Sequence, residues 1–158
     1  TGTHPTTAMC LGELATRVQA GMRVVDFGCG SGVLGVAALL LGASTVLATD
    51  TDPQALTATW ANAERNGIDG GRLQVCHPES LNGDEGAELV VANILAGPLC
   101  ELAPLLSGML APGGTLLLSG ILLEQVDALR AAYPLELSVA RQQDGWVALA
   151  GQAPEVQP

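Results

Sequence analysis

A run of alternating glycines directly after a short apolar strand constrains the fold of this chain more than any other feature. The strand, residues 24–27, carries Asp26 near its end, and Gly28, Gly30 and Gly32 follow it. Glycines at such positions allow positive φ angles and a close approach of backbone to a ligand, and the helix beyond them presents free N–H groups. The pattern predicts a ligand-binding turn at the carboxyl end of a buried strand.

The remainder of the chain alternates strands with helices. We predict strands at 24–27, 45–49, 73–76, 89–91, 115–121, 135–141 and 146–150, and helices at 5–19, 33–41, 53 to about 66, 99–110 and 124–132. This order predicts an α/β fold with a doubly wound, mostly parallel sheet of seven strands. Asp144-Gly145 is a hairpin signal, so the last two strands should place one antiparallel strand at an edge.

The length of 158 residues is that of one domain, predicted to span 1–151 and to be followed by a flexible tail at 152–158. Two stretches, 27–49 and 102–123, contain no charge and are long enough to resemble membrane spans. Repeated glycines interrupt the first stretch, and Pro104 and the Pro112-Gly113-Gly114 turn interrupt the second. Both therefore favour strand–helix pairs buried in a globular core, and we expect no membrane association.

Charge and composition exclude several classes of function. The net charge is −10, and all six basic residues are arginine. The absence of lysine excludes a P-loop lysine and Schiff-base chemistry. With only four aromatic residues and an acidic surface, direct binding of nucleic acid is not expected. The four cysteines form no CxxC pair, which favours reduced thiols in a cytoplasmic protein, expected to be a monomer.

The glycine turn is compatible with two cofactors. Gly30 to Gly35 satisfies GxGxxG, which favours a dinucleotide such as NAD. The register argues against a dinucleotide. The glycine that closes the strand is Gly28, and a dinucleotide pattern counted from Gly28 requires glycine or alanine at position 33, where this chain has valine. Asp26 would also repel a pyrophosphate, whereas it suits a ligand with a cationic amine and sulfonium. The glycine turn therefore favours S-adenosyl-L-methionine. The alternative is that it only connects strand and helix tightly and binds no ligand.

Two polar residues follow other strands of the predicted sheet. Asp50 comes directly after the second strand, where a carboxylate can accept hydrogen bonds from both ribose hydroxyls. Asp52 is explained as the cap of the helix that begins at Pro53. Asn93 ends the fourth strand and can direct its amide oxygen at an incoming amine. The alternatives are a solvated loop acid for Asp50 and a loop side chain bonded to its own backbone for Asn93.

Several motifs together resemble the ribosomal protein L11 methyltransferase family over about residues 1–151. The most specific are Thr1-Gly2-Thr3-His4-Pro5-Thr6-Thr7 and Asn93-Ile94-Leu95-Ala96-Gly97-Pro98-Leu99. The others are the glycine turn, Asp50-Thr51-Asp52-Pro53-Gln54, Asn62-Ala63-Glu64-Arg65-Asn66-Gly67 and Leu118-Ser119-Gly120-Ile121.

The resemblance implies a class I adenosylmethionine-dependent methyltransferase with a Rossmann-like fold that methylates lysine and N-terminal amino groups of a large-subunit ribosomal protein. By family pattern, Thr7, Gly28, Asp50 and Asn93 contact the cofactor. We expect a cofactor floor of Asp26, Gly28, Gly30, Gly32 and Asp50, a cover of Thr6 and Thr7, and Asn93 as the catalytic residue that receives the amine. The alternatives are another protein or small-molecule amine as substrate, and a non-catalytic cofactor-binding module.

The family's N-terminal docking domain is absent from this sequence, so we expect either a catalytic fragment or a shortened homologue. His4 is expected to order the threonine-rich segment, and no metal site is expected because neither histidine has neighbours at ligand spacing. Cys29 is expected to be a packed residue and not a nucleophile. Trp60 and Trp146 are predicted to belong to the core.

Overall fold

The computed structural model describes residues 4–155, which form one twisted sheet of seven strands in the order β3-β2-β1-β4-β5-β7-β6. The strands are β1 (Arg23–Phe27), β2 (Thr45–Thr49), β3 (Leu73–Cys76), β4 (Ala87–Asn93), β5 (Leu110–Leu122), β6 (Ser138–Gln143) and β7 (Trp146–Gln152). Strands β1 to β5 are parallel, and β7 is antiparallel to both of its neighbours. This confirms the predicted mostly parallel α/β sheet, and β7 is inserted between β5 and the edge strand β6.

Helices cover both faces of the sheet. They are α1 (Pro5–Arg17), α2 (Val33–Leu40), α3 (Pro53–Arg65), α4 (Ala96–Glu101), α5 (Ala103–Gly108) and α6 (Val126–Ala132). Apolar residues of α1, α2 and α3 form one core cluster against the sheet, and those of α4, α5 and α6 form the other. Burial on both faces explains why the uncharged stretches are so long. Within residues 4–155, no helix has both the length and the apolar character that a membrane crossing requires.

Local signals set the ends of α3 as predicted. The Asp52 side chain accepts a hydrogen bond from the Gln54 N–H, and Pro53 occupies the first helical position. Gly67 follows the helix with φ +70°, the left-handed conformation that commonly ends helices. A cap, an initial proline and a terminal glycine are all short-range signals, which is why the sequence predicts this helix well.

The single helix predicted over 99–110 is wrong. The structure has two short helices, α4 and α5, and Leu110 already belongs to β5. Pro104 explains the break, because a proline in a continuous helix would lack its hydrogen bond and clash with the carbonyl of Cys100. In the structure Pro104 instead stands in the first turn of α5, where a missing N–H costs nothing.

The strand predicted over 135–141 begins later, at Ser138. Leu137 is buried in the core, and its carbonyl accepts a hydrogen bond from the Arg130 guanidinium of α6 at 3.0 Å. The Leu137 carbonyl is thus bonded to α6, and β6 begins at the next residue, Ser138.

The expected tail at 152–158 begins inside β7, which ends at Gln152. The Ala153 N–H donates to the Gly114 carbonyl at 2.9 Å, and the Gly113 N–H donates to the Pro154 carbonyl at 3.0 Å. The described part of the expected tail is thus hydrogen-bonded to Gly113 and Gly114 of β5. Residues 1–3 of the threonine-rich motif and 156–158 of the expected tail lie outside the described residues.

Candidate functional site

The glycine turn joins the carboxyl end of β1 to α2. Gly28, Gly30 and Gly32 have φ angles of +77°, +54° and +85°, in the left-handed region that favours glycine. The N–H groups of Gly28 and Cys29 both donate to the Thr49 carbonyl at 2.8 Å, which binds the turn to the end of β2. Nothing lies within 4 Å of the position that a Cβ of Gly30 would take. The middle of the turn is therefore open backbone.

Asp50 lies beside this open backbone at the end of β2. One carboxylate oxygen, Oδ2, accepts a hydrogen bond from the Gly30 N–H at 3.0 Å, and Oδ1 accepts one from the Asp52 N–H at 3.0 Å. Because each carboxylate oxygen has two lone pairs, each can accept one further hydrogen bond. Asp50 thus orders the loops after β1 and β2 and still has acceptor capacity on both oxygens.

Asp26 lies beneath the turn and is only 1% exposed. Its Oδ2 accepts a hydrogen bond from the Gly35 N–H in the first turn of α2 at 3.0 Å. Burial raises the pKa of this carboxyl to about 7, the Gly35 hydrogen bond partly opposes the rise, and the Asp50 charge adds to it. The structure therefore places Asp26 as a buried support of the glycine turn.

The first turn of α1 lies over the carboxyl ends of β4 and β5. Asn93 Nδ2 donates to Thr7 Oγ1 at 3.4 Å, and Ser119 Oγ donates to the Thr6 carbonyl at 3.3 Å. Asn93 and Ser119 are direct partners in the register of β4 and β5. His4 caps the helix by accepting a hydrogen bond at Nδ1 from the Thr6 N–H at 3.2 Å, which fits its expected ordering role.

Two partly exposed ion pairs centred on the buried Glu13 hold the same helix against the edge of the sheet. Glu13 accepts hydrogen bonds from Arg17 at 2.8 Å and from Arg141 of β6 at 2.6 Å. Burial opposes ionisation of Glu13, but the two guanidinium groups outweigh it and lower its pKa. The Arg141 guanidinium passes close to the backbone of Gly12: a Cβ there would lie 2.6 Å from the Arg141 Cζ, so a larger residue would require the guanidinium to shift.

A cavity of about 450 Å³ opens next to Asn93. Its lining consists of His4, Thr6, Asn93, Ile94, Leu95, Gly120 and Trp146. The Trp146 ring meets the His4 ring edge to face, with centroids 5.6 Å apart. Ile94 connects the cavity to the glycine turn, because a Cβ on Gly28 would lie 2.7 Å from Ile94 Cγ2. The turn and the cavity are thus neighbouring parts of one surface.

Both tryptophans are less buried than predicted, although Trp146 does pack against a core cluster. Trp60 was expected in the core but is 42% exposed on the outer side of α3. Trp146 is only partly buried, and it lines the cavity. Sequence reasoning also missed Ser119 and Gly120 as site residues, although both lie in a segment that carries the family resemblance.

Cys29 is buried inside the glycine turn, as predicted. Its Sγ lies 3.2 Å from Thr59 Oγ1. Burial raises the pKa of this thiol to about 11, so it is protonated at neutral pH and is a poor nucleophile.

A family model described as ribosomal protein L11 methyltransferase matches residues 1–154. The chain belongs to the ribosomal protein L11 methyltransferase family. The ribosomal protein L11 methyltransferase of Pseudomonas aeruginosa is 53% identical over 154 residues, which are 96% of this chain and 52% of that relative. The Chromohalobacter salexigens protein of the same name is 52% identical over 157 residues, 98% of this chain and 52% of that protein. The chain spans about half the length of these curated relatives.

Solved structures confirm the fold of this family member. The ribosomal protein L11 methylase of Lactobacillus delbrueckii subsp. bulgaricus superimposes with a TM-score of 0.84 and 33% identity, covering 97% of this chain and 81% of that one. An RNA methyltransferase from Salinibacter ruber, solved with S-adenosyl-L-homocysteine, gives a TM-score of 0.73 at 17% identity over 98% of this chain and 97% of that one. The second likeness shows the fold alone, and the first, at 33% identity, agrees with the predicted α/β architecture of a methyltransferase.

Proposed function

We propose that residues 4–155 form the catalytic domain of an S-adenosyl-L-methionine-dependent N-methyltransferase that modifies amino groups of ribosomal protein L11. The observation that carries the proposal is the contact between the glycine turn and the Asn93 cavity through Ile94, because it places two binding surfaces side by side. Two adjoining surfaces are what a transfer between a cofactor and an amine requires, since both reactants must be held in one orientation.

The residues of the turn fit the cofactor. Gly30 offers open backbone between the closely packed Gly28 and Gly32, and Asp50 has one free acceptor position on each oxygen for a ribose hydroxyl. Thr6 and Thr7 lie over the ends of β4 and β5. Asp26 contributes a negative charge beneath the turn when it is ionised. The bound cofactor supplies a methyl group on a positively charged sulfur.

The cavity residues fit an aliphatic amine. Thr7 Oγ1 accepts from Asn93 Nδ2, which leaves the amide oxygen of Asn93 to accept a hydrogen bond from the amine. Ile94, Leu95 and Trp146 provide apolar walls, and such walls disfavour the charged ammonium form. The chain thus favours the neutral amine, whose nitrogen lone pair is the nucleophile.

The cost of removing the proton predicts the pH dependence of transfer. A lysine amine with a reference pKa of about 10.4 costs about 4–5 kcal/mol to deprotonate at pH 7, whereas an α-amine near 7.8 costs about 1 kcal/mol. We therefore expect the rate to rise with pH, and more steeply for lysine. The relatives named for ribosomal protein L11 support that protein as the acceptor, and the net charge of −10 favours a basic partner.

The experiment that tests the proposal is incubation of the 158-residue chain with labelled S-adenosyl-L-methionine and purified ribosomal protein L11, with the products mapped by mass spectrometry. Methyl groups on lysine or N-terminal nitrogen support the proposal. Calorimetry with S-adenosyl-L-homocysteine and NAD is the companion measurement. Binding of S-adenosyl-L-homocysteine without transfer to the protein would favour a non-catalytic module, and transfer to small amines alone would favour a small-molecule substrate.

A further inference from the structure

Two exposed leucines follow the ends of the strands beside the Asn93 cavity. Leu95 is 68% exposed and lines the cavity, whereas Leu123 is 50% exposed and lies just after β5. Both follow the carboxyl ends of neighbouring strands, β4 and β5. A single exposed leucine is common on protein surfaces and needs no explanation. Two exposed leucines near a candidate site are more informative, because apolar surface at such a place indicates contact with a partner.

Backbone pairing connects Leu123 to the cavity wall. The Leu123 N–H donates to the Gly145 carbonyl in the hairpin turn at 3.0 Å. One residue earlier, Leu122 is the register partner of Trp146, which lines the cavity. The end of β5 and the β6–β7 turn are therefore joined to the strand that contributes Trp146 to the cavity wall, and Leu95 belongs to the wall itself.

The charges on this side are negative. Glu124 follows Leu123, and Asp144 lies in the hairpin turn next to Gly145; both are exposed. Five of the six arginines bond elsewhere: Arg17 and Arg141 to Glu13, Arg23 to Glu88, Arg72 to the carbonyls of Leu39 and Ala43, and Arg130 to the carbonyl of Leu137. We call Leu95, Leu123, Glu124 and Asp144 the acceptor rim.

We propose that the acceptor rim binds the polypeptide segment that carries the acceptor amine, and that it selects a segment in which a basic residue adjoins an apolar one. The leucines would cover the apolar side chain, and the two carboxylates would attract the basic one. Charge argues against the other occupants: a second copy of this chain carries −10, and nucleic acid is an anion. This inference rests on the proposed function, because it assigns the substrate segment of the same site.

Two peptides and paired variants test the rim. The peptides are acetyl-Gly-Leu-Lys-Leu-Arg-Gly-amide and its counterpart with serine in place of both leucines, assayed with labelled S-adenosyl-L-methionine; lysine is the acceptor and arginine is the adjoining basic residue. We expect the wild type to have at least a fivefold lower KM for the leucine peptide. Leu123→Ser should remove that preference, and Leu123→Gln is a second variant of the same kind. Leu40→Ser is the matched control, because Leu40 is 61% exposed but lies on α2, outside the rim.

The charged half of the rim is tested by salt. KM of the wild type for the leucine peptide should rise at least threefold between about 20 mM and 300 mM salt, because exposed charges are screened. The double variant Glu124→Gln/Asp144→Asn should lose most of this dependence. Asparagine preserves the positive φ of 53° at position 144, so the turn is retained. Glu64→Gln/Asp69→Asn is the charge-matched control, because both residues are exposed and lie beside β3 at the opposite edge of the sheet.

The outcomes separate the two proposals. Equal KM for both peptides in the wild type, or an unchanged preference in Leu123→Ser, overturns the rim while methyl transfer itself continues. Absence of transfer to both peptides and to ribosomal protein L11, with S-adenosyl-L-homocysteine still bound, overturns the proposed function and the rim with it. Calorimetric affinity for S-adenosyl-L-homocysteine, measured on every variant, verifies that each one is folded.

Discussion

The amide of Asn93 donates to the hydroxyl of Thr7 across 3.4 Å, and this contact joins the end of β4 to the first turn of α1. The two residues lie 86 positions apart in sequence, yet they occupy one corner of the site. The contact fixes which end of the Asn93 amide faces the cavity. Asn93 therefore has two functions in the proposed enzyme, one toward α1 and one toward the amine.

Replacement of Asn93 by alanine should lower turnover by about one to three orders of magnitude, because a preoriented polar partner of the amine is lost. The affinity for S-adenosyl-L-homocysteine, measured by calorimetry, should fall much less. Thr7→Val is the informative companion, since it keeps the shape of Thr7 and releases the Asn93 amide; we expect a smaller loss of turnover. If Asn93→Ala loses affinity and turnover equally, Asn93 serves the cofactor alone.

Asp50→Ala should weaken S-adenosyl-L-homocysteine binding at least tenfold. The substitution removes two charge-assisted hydrogen bonds to the ribose, each worth roughly 1.5–3 kcal/mol, and a tenfold loss needs only about 1.4 kcal/mol. Asp52→Asn is a matched control: it removes a charge two residues away and retains an N-cap oxygen. Calorimetry on both variants checks the assignment of Asp50 to the ribose. An unchanged affinity in Asp50→Ala would contradict it.

The raised pKa of Asp26 predicts a pH-dependent stability. The unfolded carboxyl loses its proton near pH 3.8, whereas the folded one holds it until about pH 7. The folded state therefore binds more protons between these values, and the free energy of unfolding should decrease as pH rises through this window.

Asp26→Asn should remove this dependence. The stability of the wild type relative to Asp26→Asn should fall by roughly 2–3 kcal/mol between pH 5 and pH 8. Urea unfolding of both proteins at the two pH values measures the difference. A constant difference would show that Asp26 titrates normally in the folded protein.

Gly120→Ala should destabilise the domain by more than about 2 kcal/mol. Gly120 has φ +89°, and a Cβ there would meet the backbone of Ile94, with its carbonyl carbon at 2.9 Å. Gly97→Ala is the control, because it lies in α4 with nothing within 4 Å of its Cβ position, and it should stabilise by about 0.5–1 kcal/mol. Thermal unfolding of the two variants should therefore shift in opposite directions.

The parts of the fold that sequence predicts well depend on short-range chemistry. The cap and terminal glycine of α3 and the glycine turn act over a few residues, so one sequence suffices to recognise them. Asp50 was singled out because it comes directly after β2. Its bond to the Gly30 N–H follows from the pairing of β2 with β1.

The errors arise where contacts that leave no pattern in the sequence decide. Arg130 of α6 binds the Leu137 carbonyl just before β6; the two residues are only seven positions apart, but the side-chain-to-backbone bond leaves no periodic pattern in the sequence. Trp146 lines the cavity only because β7 is inserted beside β5, which places it near His4. Pro104 is different, because a proline disrupts a helix through local contacts. The break between α4 and α5 could therefore have been predicted from the sequence.

The contacts that hold α1 have a consequence for the order of folding. Ser119 reaches Thr6 over 113 residues of sequence, and Arg141 reaches Glu13 over 128, whereas Gly30 and Asp50 are 20 residues apart. Closing a long loop costs more chain entropy than closing a short one, and distant pairings form late. The Gly30–Asp50 part of the proposed cofactor site can thus form early, while the positions of Thr6, Thr7 and the proposed amine site depend on β4, β5 and the final hairpin. During synthesis, the turn proposed to bind the nucleotide would take shape before the surface proposed to bind the acceptor.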